Sequence, residues 1–418
     1  MNQIHIALVY VLWGLVTFFF MVITLSVIKN WGEFYKDPGV SKKDRKVTIV
    51  VPAYNEEKGV KDTIDSLLDL SYPKDLLEII LVNDGSNDRT PEIAGEYEKD
   101  GRIILLNNQE NIGKSASLNK GIERASGELV ACLDADTIVE RDILKKVTGY
   151  FEDPKNAAVV VRVKVREPKN WLEKIIDMEY NMGLGFYLKL LSFLNCLYLT
   201  PGQFSIYRKS ILIELKGFDE NNIVEDTEIA YRMQKAHYRI ACCLSAHAYT
   251  RVPDNLRSFY HQRKRWYTGT LQTAIQHRDV FFNKDLGNFG LFYMPINYAS
   301  TMVGLLLFLS TIWLMMTAAY DYVTYYSLIG FDFTVGIRET LSHPEFDPLS
   351  ISFLYILGLT PFLMNAIMNY FAMKRMDEDI KETLFGFVFF LFFFIPYNIF
   401  WMISLYFVVA NRKIKWRG

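Results

Sequence analysis

The run LVACLDADT ends in Asp134 and Asp136, two carboxylates with one residue between them. Side chains two apart on a strand share a face, so a short loop at the strand's end could aim both at one ion. Hard divalent cations such as Mg²⁺ or Mn²⁺ are often held by one or two carboxylates while substrate phosphates supply other ligands. The same pair equally suits a turn that closes a strand and caps the next helix. Asp84 in LVNDGS and Lys114 in NIGKSAS place an anion and a cation after two other apolar runs. The GKS at 113–115 invites comparison with a nucleotide-triphosphate loop, which needs a Gly five places before its last Gly so that backbone N–H groups can curl around phosphates. That place is held by Asn108, and the requirement is not met. VEDTEIAYRM offers Glu225 and Asp226 at the start of a helix-like segment. There a carboxylate can take a proton from an attacking hydroxyl, or Asp226 or Thr227 can simply cap the helix. In QRKRW, Gln262, Arg265 and Trp266 stand at i, i+3 and i+4, within one arc of a helix.

These groups need a frame. Between about 47 and 250, VTIVVPAYN, LEIILVNDGS, RIILLNN and LVACLDADT read as apolar strands, each followed by a helix-like segment. That alternation predicts βαβ units and a mainly parallel sheet, whose ligands bind beyond the carboxyl ends of the strands. The polar clusters Tyr54-Asn55-Glu56, Asn83-Asp84-Gly85 and Asp134-Ala135-Asp136 fall at those ends. In the segment around QRKRW, Leu256, Phe259, Tyr260, Tyr267, Thr270, Leu271 and Ala274 cluster on an arc beside the polar one. One face is therefore expected on the membrane and the next on the site, with Arg263 intruding on the apolar arc and snorkelling. A basic interfacial helix whose Trp is only an anchor fits the same pattern. WLEKIIDMEYNMGLGFYLKLL reads as a second interfacial helix or as a packed core helix.

The chain has 418 residues, 50% of them hydrophobic, and they are unevenly spread. Ile6 to Ile28 carries no charge and is about the ~20 residues needed to cross a bilayer. No small-residue cleavage site follows it, so it is read as a retained anchor. Lys29, Lys36, Lys42, Lys43, Arg45 and Lys46 crowd behind it, which puts them in the cytoplasm and the N-terminus outside. Stretches near 291–318, 350–373 and 384–410 are each long enough to span, and the connection 321–349, with Arg338 its only Lys or Arg, reads as an outside loop. Four crossings would also place the basic tail NRKIKWRG outside, so either the tail is an exception or 384–410, broken by Pro396, re-enters.

Several function classes lose their support here. A net charge of -1 gives no nucleic-acid footprint, and RKRWY alone is too short a patch. No GxGxxG follows the strands, which removes the fingerprint of a dinucleotide-dependent oxidoreductase. No charge interrupts the first span or the main part of the last, against a transporter or channel gated by a nucleotide-binding domain. Cys132, Cys196, Cys242 and Cys243 show no CxxC spacing and read as small buried residues of a reducing compartment.

VPAYNEE, VNDGSNDRT, NIGKSASLNKGI, CLDADT, VEDTEIAYR and QRKRW occur in the order, and at about the spacings, of the membrane-bound family 2 glycosyltransferases. Over about 47 to 270 the chain resembles their processive branch, the poly-N-acetylglucosamine, hyaluronan, chitin-oligosaccharide and cellulose synthases. The resemblance implies an α/β GT-A-type (Rossmann-like) cytoplasmic domain plus transmembrane α-helices. It divides the chain into a membrane helix at 1–30, the transferase domain at 31–252, an interfacial amphipathic helix with QRKRW at 253–285, and a transmembrane region of about three spans at 286–418. It implies that Ala53, Tyr54 and Glu56 border a nucleotide, Asp84 contacts uracil, and Lys114 lies near the nucleotide and its diphosphate. Asp134 would sit beside ribose and diphosphate, Arg265 would reach the diphosphate, and Asp136 would bind Mg²⁺ or Mn²⁺. Asp226 would be the general base with Glu225 in reserve, and Trp266, with Gln262, Gly202 and Gln203, would face the acceptor.

Two stretches depart from the family's pattern. TPGQFSIYRKS keeps Gly202 but has Pro201 where Ser is usual, and Gln203 adds an amide; VVVRVKVRE lacks a Gly-Asn or Gly-Asp element. Both bear on sugar and acceptor choice and leave donor activation intact. The expected protein is a multi-pass enzyme of the cell membrane with a cytoplasmic site. It would use a UDP-sugar to extend a β-linked polysaccharide, with a hexosamine polymer such as poly-N-acetylglucosamine first among the products. Transfer of one sugar to a lipid or glycolipid is the alternative. Donor, growing glycan or lipid acceptor, and membrane lipids are the expected partners, with no nucleic acid.

Overall fold

The computed structural model describes residues 3–34, 36–332, 334, 363–364, 366–367, 370, 380–410 and 412, with the side chains of 380–394 left aside. The expected span at 350–373, Arg338 and the basic tail fall almost wholly outside the described residues. The chain divides into two units, residues 26–294 with 376–418, and residues 1–25 with 295–375.

The larger unit is built on one eight-stranded sheet in the order β3-β2-β1-β4-β7-β6-β8-β5. Its strands are β1 Val47–Ala53, β2 Leu77–Asn83, β3 Ile104–Asn107, β4 Leu129–Cys132, β5 Ile138–Val139, β6 Asn156–Val165, β7 Ser205–Arg208 and β8 Arg239–Thr250. The four expected strands pair in parallel, β3 on β2, β2 on β1 and β1 on β4. Their unbroken Val/Ile/Leu runs suit a sheet covered on both faces. Beyond β4 the sheet is mixed: β7 runs antiparallel to both β4 and β6, β6 and β8 are parallel, and β5 is antiparallel to β8. The expectation of a mainly parallel sheet thus holds for one half only, because the later strands are not joined by successive βαβ crossovers.

Helices α2 Val60–Leu68, α3 Thr90–Lys99 and α4 Lys114–Arg124 make the crossovers, and α5 Ile143–Thr148 follows β5. Val60, Ile64 and Leu67 of α2 join Ile49, Val51, Leu81 and Leu133 in the main core. Connections β1→β2→β3 run to one side of β1 and β4 returns to the other, so a crevice opens between β1 and β4 at their carboxyl ends. Pairing of β1 with β4 stops at Val50, and Pro52, which has no N–H for a ladder, falls beyond that point.

The segment WLEKIIDMEYNMGLGFYLKLL forms α6 Trp171–Tyr180, a π-helical turn at Asn181–Tyr187, and α7 Leu188–Phe193. Asn170 and Glu173 close a capping box at its start, and Leu172, Ile175, Ile176, Leu190 and Leu191 are buried, which is the packed-helix alternative. After α8 Lys209–Glu214 and α9 Glu225–Lys235 comes α10 Leu256–Gln276, which carries QRKRW. The apolar arc of α10 is covered by the last helix, α12 Ile380–Val409: Phe259 meets Phe400 at 5.8 Å and Tyr267 stacks on Trp401 at 4.6 Å between ring centres. Expected on a membrane surface, that arc instead finds helical partners at Phe259, Tyr260 and Tyr267, because aromatic rings there can interlock. Leu256 alone of the set stays largely exposed. Pro396 lies inside α12 and does not break it.

The smaller unit holds most of α1 Gln3–Lys29 and of α11 Met294–Leu328, joined where His5 Nδ1 meets Ser310 Oγ at 2.8 Å. Residues 3–29 and the continuous helix 289–328 are long and apolar enough to cross a membrane, and few of their side chains are buried. The second is 40 residues long and runs through 321–328, taken above as part of an outside loop. All four cysteines are free and buried, and burial pushes the Cys196, Cys242 and Cys243 thiols up to about 12, where they are inert.

Candidate active site

Asp84 follows β2 directly and is 3% exposed. Its Oδ1 accepts from Asn108 Nδ2 and the Ile112 N–H, both at 2.9 Å, and its Oδ2 from the Gly113 N–H at 3.0 Å. The backbone donors that a phosphate loop would offer to a nucleotide are therefore spent on a carboxylate. Gly113 has φ +95, a conformation open to glycine, and it releases the chain into α4.

Lys114, the first residue of α4, reaches across the crevice. Its Nζ lies 2.7 Å from Asp134 Oδ1 and 2.8 Å from Glu225 Oε1. Burial works against this charge, but Asp134, Glu225 and Asp226 outweigh it and raise the Lys114 pKa. One ammonium thus joins the end of β4 to the start of α9. The segment 199–203 closes over this pair at Gly202, where a Cβ would sit 2.6 Å from Lys114 Nζ.

Asp136 receives the hydroxyls of Thr137 at 3.2 Å and Thr250 at 3.4 Å on one oxygen. Burial first, then the charges of Asp134 and Glu56, push its carboxyl up to about 7. Asp226, in the first turn of α9, accepts from the Thr227 N–H at 2.8 Å while its own carbonyl takes the Thr200 hydroxyl at 2.8 Å. Burial and then Glu225 raise it to about 7, against the pull of Lys114 and Arg265. Arg265 Nη1 contacts the Ile223 carbonyl at 3.4 Å, just ahead of α9. Trp266 packs on Tyr180 with ring centres 6.3 Å apart. The amide oxygen of Gln262 is buried with no partner among the described residues.

All fourteen residues singled out above line one cavity of about 1380 Å³: Ala53, Tyr54, Glu56, Asp84, Lys114, Asp134, Asp136, Gly202, Gln203, Glu225, Asp226, Gln262, Arg265 and Trp266. It is larger than the usual ~300–1,000 Å³ of a small-ligand pocket, room enough for two sugars and a nucleotide. Among the described residues no group of three or more His, Cys, Asp or Glu is arranged to hold a metal. Asp136 nevertheless has hard oxygens and the negative neighbours Asp134 and Glu56, which suit a divalent cation arriving with a diphosphate.

The wall also includes Glu179, Tyr180 and Arg263, which the sequence reading did not assign to the site. Arg263, expected to snorkel, is 1% exposed and donates to Glu179 at 2.6 Å. Its intrusion on an apolar arc was the available signal, since a buried charge needs an opposite partner.

Residues 48–216 match the model of glycosyl transferase family 2. Poly-β-1,6-N-acetyl-D-glucosamine synthase of Staphylococcus aureus is 32% identical over 249 residues, 59% of this chain and 60% of the relative. The Staphylococcus epidermidis enzyme is 32% identical over 231 residues, 55% and 56% of the two chains. The matched part thus spans about three fifths of the length of these relatives. Among solved structures, the mannosyltransferase PcManGT of Pyrobaculum calidifontis, in complex with GDP-Man and Mn²⁺, superposes with a TM-score of 0.57 at 21% identity, covering 88% of this chain and 97% of that one. That likeness extends to the fold, a GT-A-type sheet. Residues 48–216 are a glycosyltransferase family 2 domain.

Proposed function

We propose that the protein is a membrane-embedded inverting glycosyltransferase that uses a UDP-sugar to extend a β-linked polysaccharide, with N-acetylglucosamine the first sugar to test. The observation that carries this is the bridge from Asp134 through Lys114 to Glu225, beside Asp226, which brings the proposed donor and acceptor groups to one cavity. The relatives that make poly-β-1,6-N-acetyl-D-glucosamine support the sugar.

In this reading Ala53, Tyr54 and Glu56 border the nucleotide and Asp84 recognises uracil. Asp84 is pre-set for that by three internal donors that fix its carboxylate. Lys114 and Arg265 offset the charge that grows on the departing diphosphate. A divalent cation, Mg²⁺ or Mn²⁺, would be held by Asp136 with the diphosphate and would supply further charge neutralisation there. PcManGT was solved with Mn²⁺. Asp226 takes the proton of the acceptor hydroxyl as that oxygen bonds to the anomeric carbon and the carbon–diphosphate bond breaks. A carboxyl raised to about 7 is a stronger base than an ordinary aspartate. With one displacement and no covalent intermediate, an α-linked donor yields a β-linked product. Trp266 offers an aromatic face for the acceptor sugar, and Gly202, Gln203, Gln262 and Glu225 surround it. The domain lies on the cytoplasmic side, where the basic residues after α1 would stand.

The test is detergent-purified protein with Mg²⁺ or Mn²⁺, a panel of UDP-sugars, coupled UDP detection, and linkage analysis of the product. The proposal expects UDP release with one donor and a ladder of β-linked chains. A single added sugar would move the assignment to a lipid or glycolipid acceptor, and no release with any donor would overturn it.

A further inference from the structure

Arg263 is the most deeply buried charge in the cavity wall, and its surroundings join three helices. Its Nη2 donates to Glu179 Oε2 at 2.6 Å, and the same oxygen accepts the Tyr397 hydroxyl at 2.7 Å. Arg263 belongs to α10, Glu179 to α6 and Tyr397 to α12. The guanidinium also lies 4.3 Å from the centre of the Trp266 ring and 4.8 Å from that of Phe259. Trp266 is thus held by Arg263 and by the Tyr180 ring while it lines the cavity.

Stability gives no sufficient reason for this arrangement. A buried ion pair is often no better than well-packed apolar residues of the same volume, because desolvation offsets the attraction. What a paired, hydrogen-bonded guanidinium adds is direction: a planar cation anchored through Nη2, and a cation–π contact that favours the face of the indole. Lys114 with Asp134 and Glu225, the bridge between the donor groups and α9, forms a separate ion-pair set.

We propose that Arg263 and Glu179 are positioning residues that set the plane of Trp266 and, through Tyr397, couple that ring to the last helix. Movement of α12 then re-aims the surface on which the acceptor rests, so acceptor binding and product length depend on this cluster while donor activation does not. The inference rests on the reading of Trp266 as the acceptor platform.

The experiment compares wild type with Glu179→Gln, Tyr397→Phe and the double variant Glu179→Met/Arg263→Met. UDP-N-acetylglucosamine serves as donor and a β-1,6-linked N-acetylglucosamine pentasaccharide as acceptor. In the single variants the acceptor KM is expected to rise about tenfold and chains to shorten, with the donor KM within about twofold of wild type. The double variant should keep the wild-type melting temperature yet make the same short chains, which separates positioning from stability. Tryptophan emission of Glu179→Gln should differ from wild type, and the difference should vanish in a Trp266→Phe background. Unchanged acceptor KM, chain length and emission in Glu179→Gln and the double variant would overturn the proposal. If wild type itself released no UDP, the functional reading would have failed, and the emission difference alone would decide whether the cluster sets Trp266.

Discussion

On the β1–β2–β4 side of the cavity, polar groups stand at strand ends and are tied to the loops and strand ends of the same sheet: Asp84 to Asn108, Ile112 and Gly113, and Asp136 to Thr137 and to Thr250 at the end of β8. On the opposite side, Trp266, Arg263 and Glu179 stand on α10 and α6, and α12 completes their contacts from more than a hundred residues further along the chain. The first side is rigid by sheet register. The second is rigid only while its helices stay packed, and this is where a moving acceptor has to be accommodated.

The largest effect expected is on the residue between the two sides. Asp226→Asn keeps an oxygen to accept from the Thr227 N–H but cannot take a proton, and kcat should fall about a thousandfold, near the usual worth of a general base. Donor affinity, measured by calorimetry, should hold. A variant that lost donor binding equally would blur the division of the cavity.

Gly202→Ala comes next. Its Cβ would press on Lys114, which cannot swing away without leaving Asp134 or Glu225. A displacement of about an ångström at this joint should cost about a hundredfold in kcat/KM, and both donor and acceptor kinetics should register it.

Asp84→Asn sharpens the comparison from the donor side. The amide has one acceptor oxygen where the carboxylate has two, so a part-buried N–H of Ile112 or Gly113 loses its partner. The donor KM should rise about tenfold, as for a lost charge-assisted bond, with the acceptor KM unmoved.

The smallest effect concerns stability. The carboxyls of Asp136 and Asp226 are raised above their ordinary value to about 7. The folded state therefore holds more protons than the unfolded chain between about pH 4 and pH 7. Their contribution is fully present below the ordinary carboxylate range and is lost as pH rises through 7. Protein without donor or cation should melt higher at pH 5 than at pH 8, and Asp136→Asn or Asp226→Asn should recover about 1 kcal/mol or more at pH 8. A melting temperature that rose with pH would contradict the charge balance described for the cavity.

The same contrast governs what could be read from the sequence. Residues just beyond strand ends were legible because strand periodicity and turn residues place them at one sheet edge, whatever the rest of the fold does; Asp84, Asp134, Asp136 and, at the start of the helix after β3, Lys114 are of this kind. The mixed half of the sheet was not, since β6, β7 and β8 pair across long segments with no local signal of direction. The apolar arc of α10 was recognised correctly as apolar, but its partner was not. An arc of Phe and Tyr looks the same whether lipid or another helix covers it, and only the rings of Phe400 and Trp401 decide. Arg263 was misread for the same reason, because a charge on that arc snorkels beside lipid but pairs with Glu179 beneath a helix.

The most direct test of the central claim is a structure of Asp226→Asn with a UDP-sugar and Mn²⁺. The account expects uracil against Asp84, the diphosphate and cation at Asp136 within reach of Lys114 and Arg265, and the sugar facing Asn at position 226 across from Trp266. A donor bound away from Asp84 and Asp136, or a sugar turned from position 226, would contradict it.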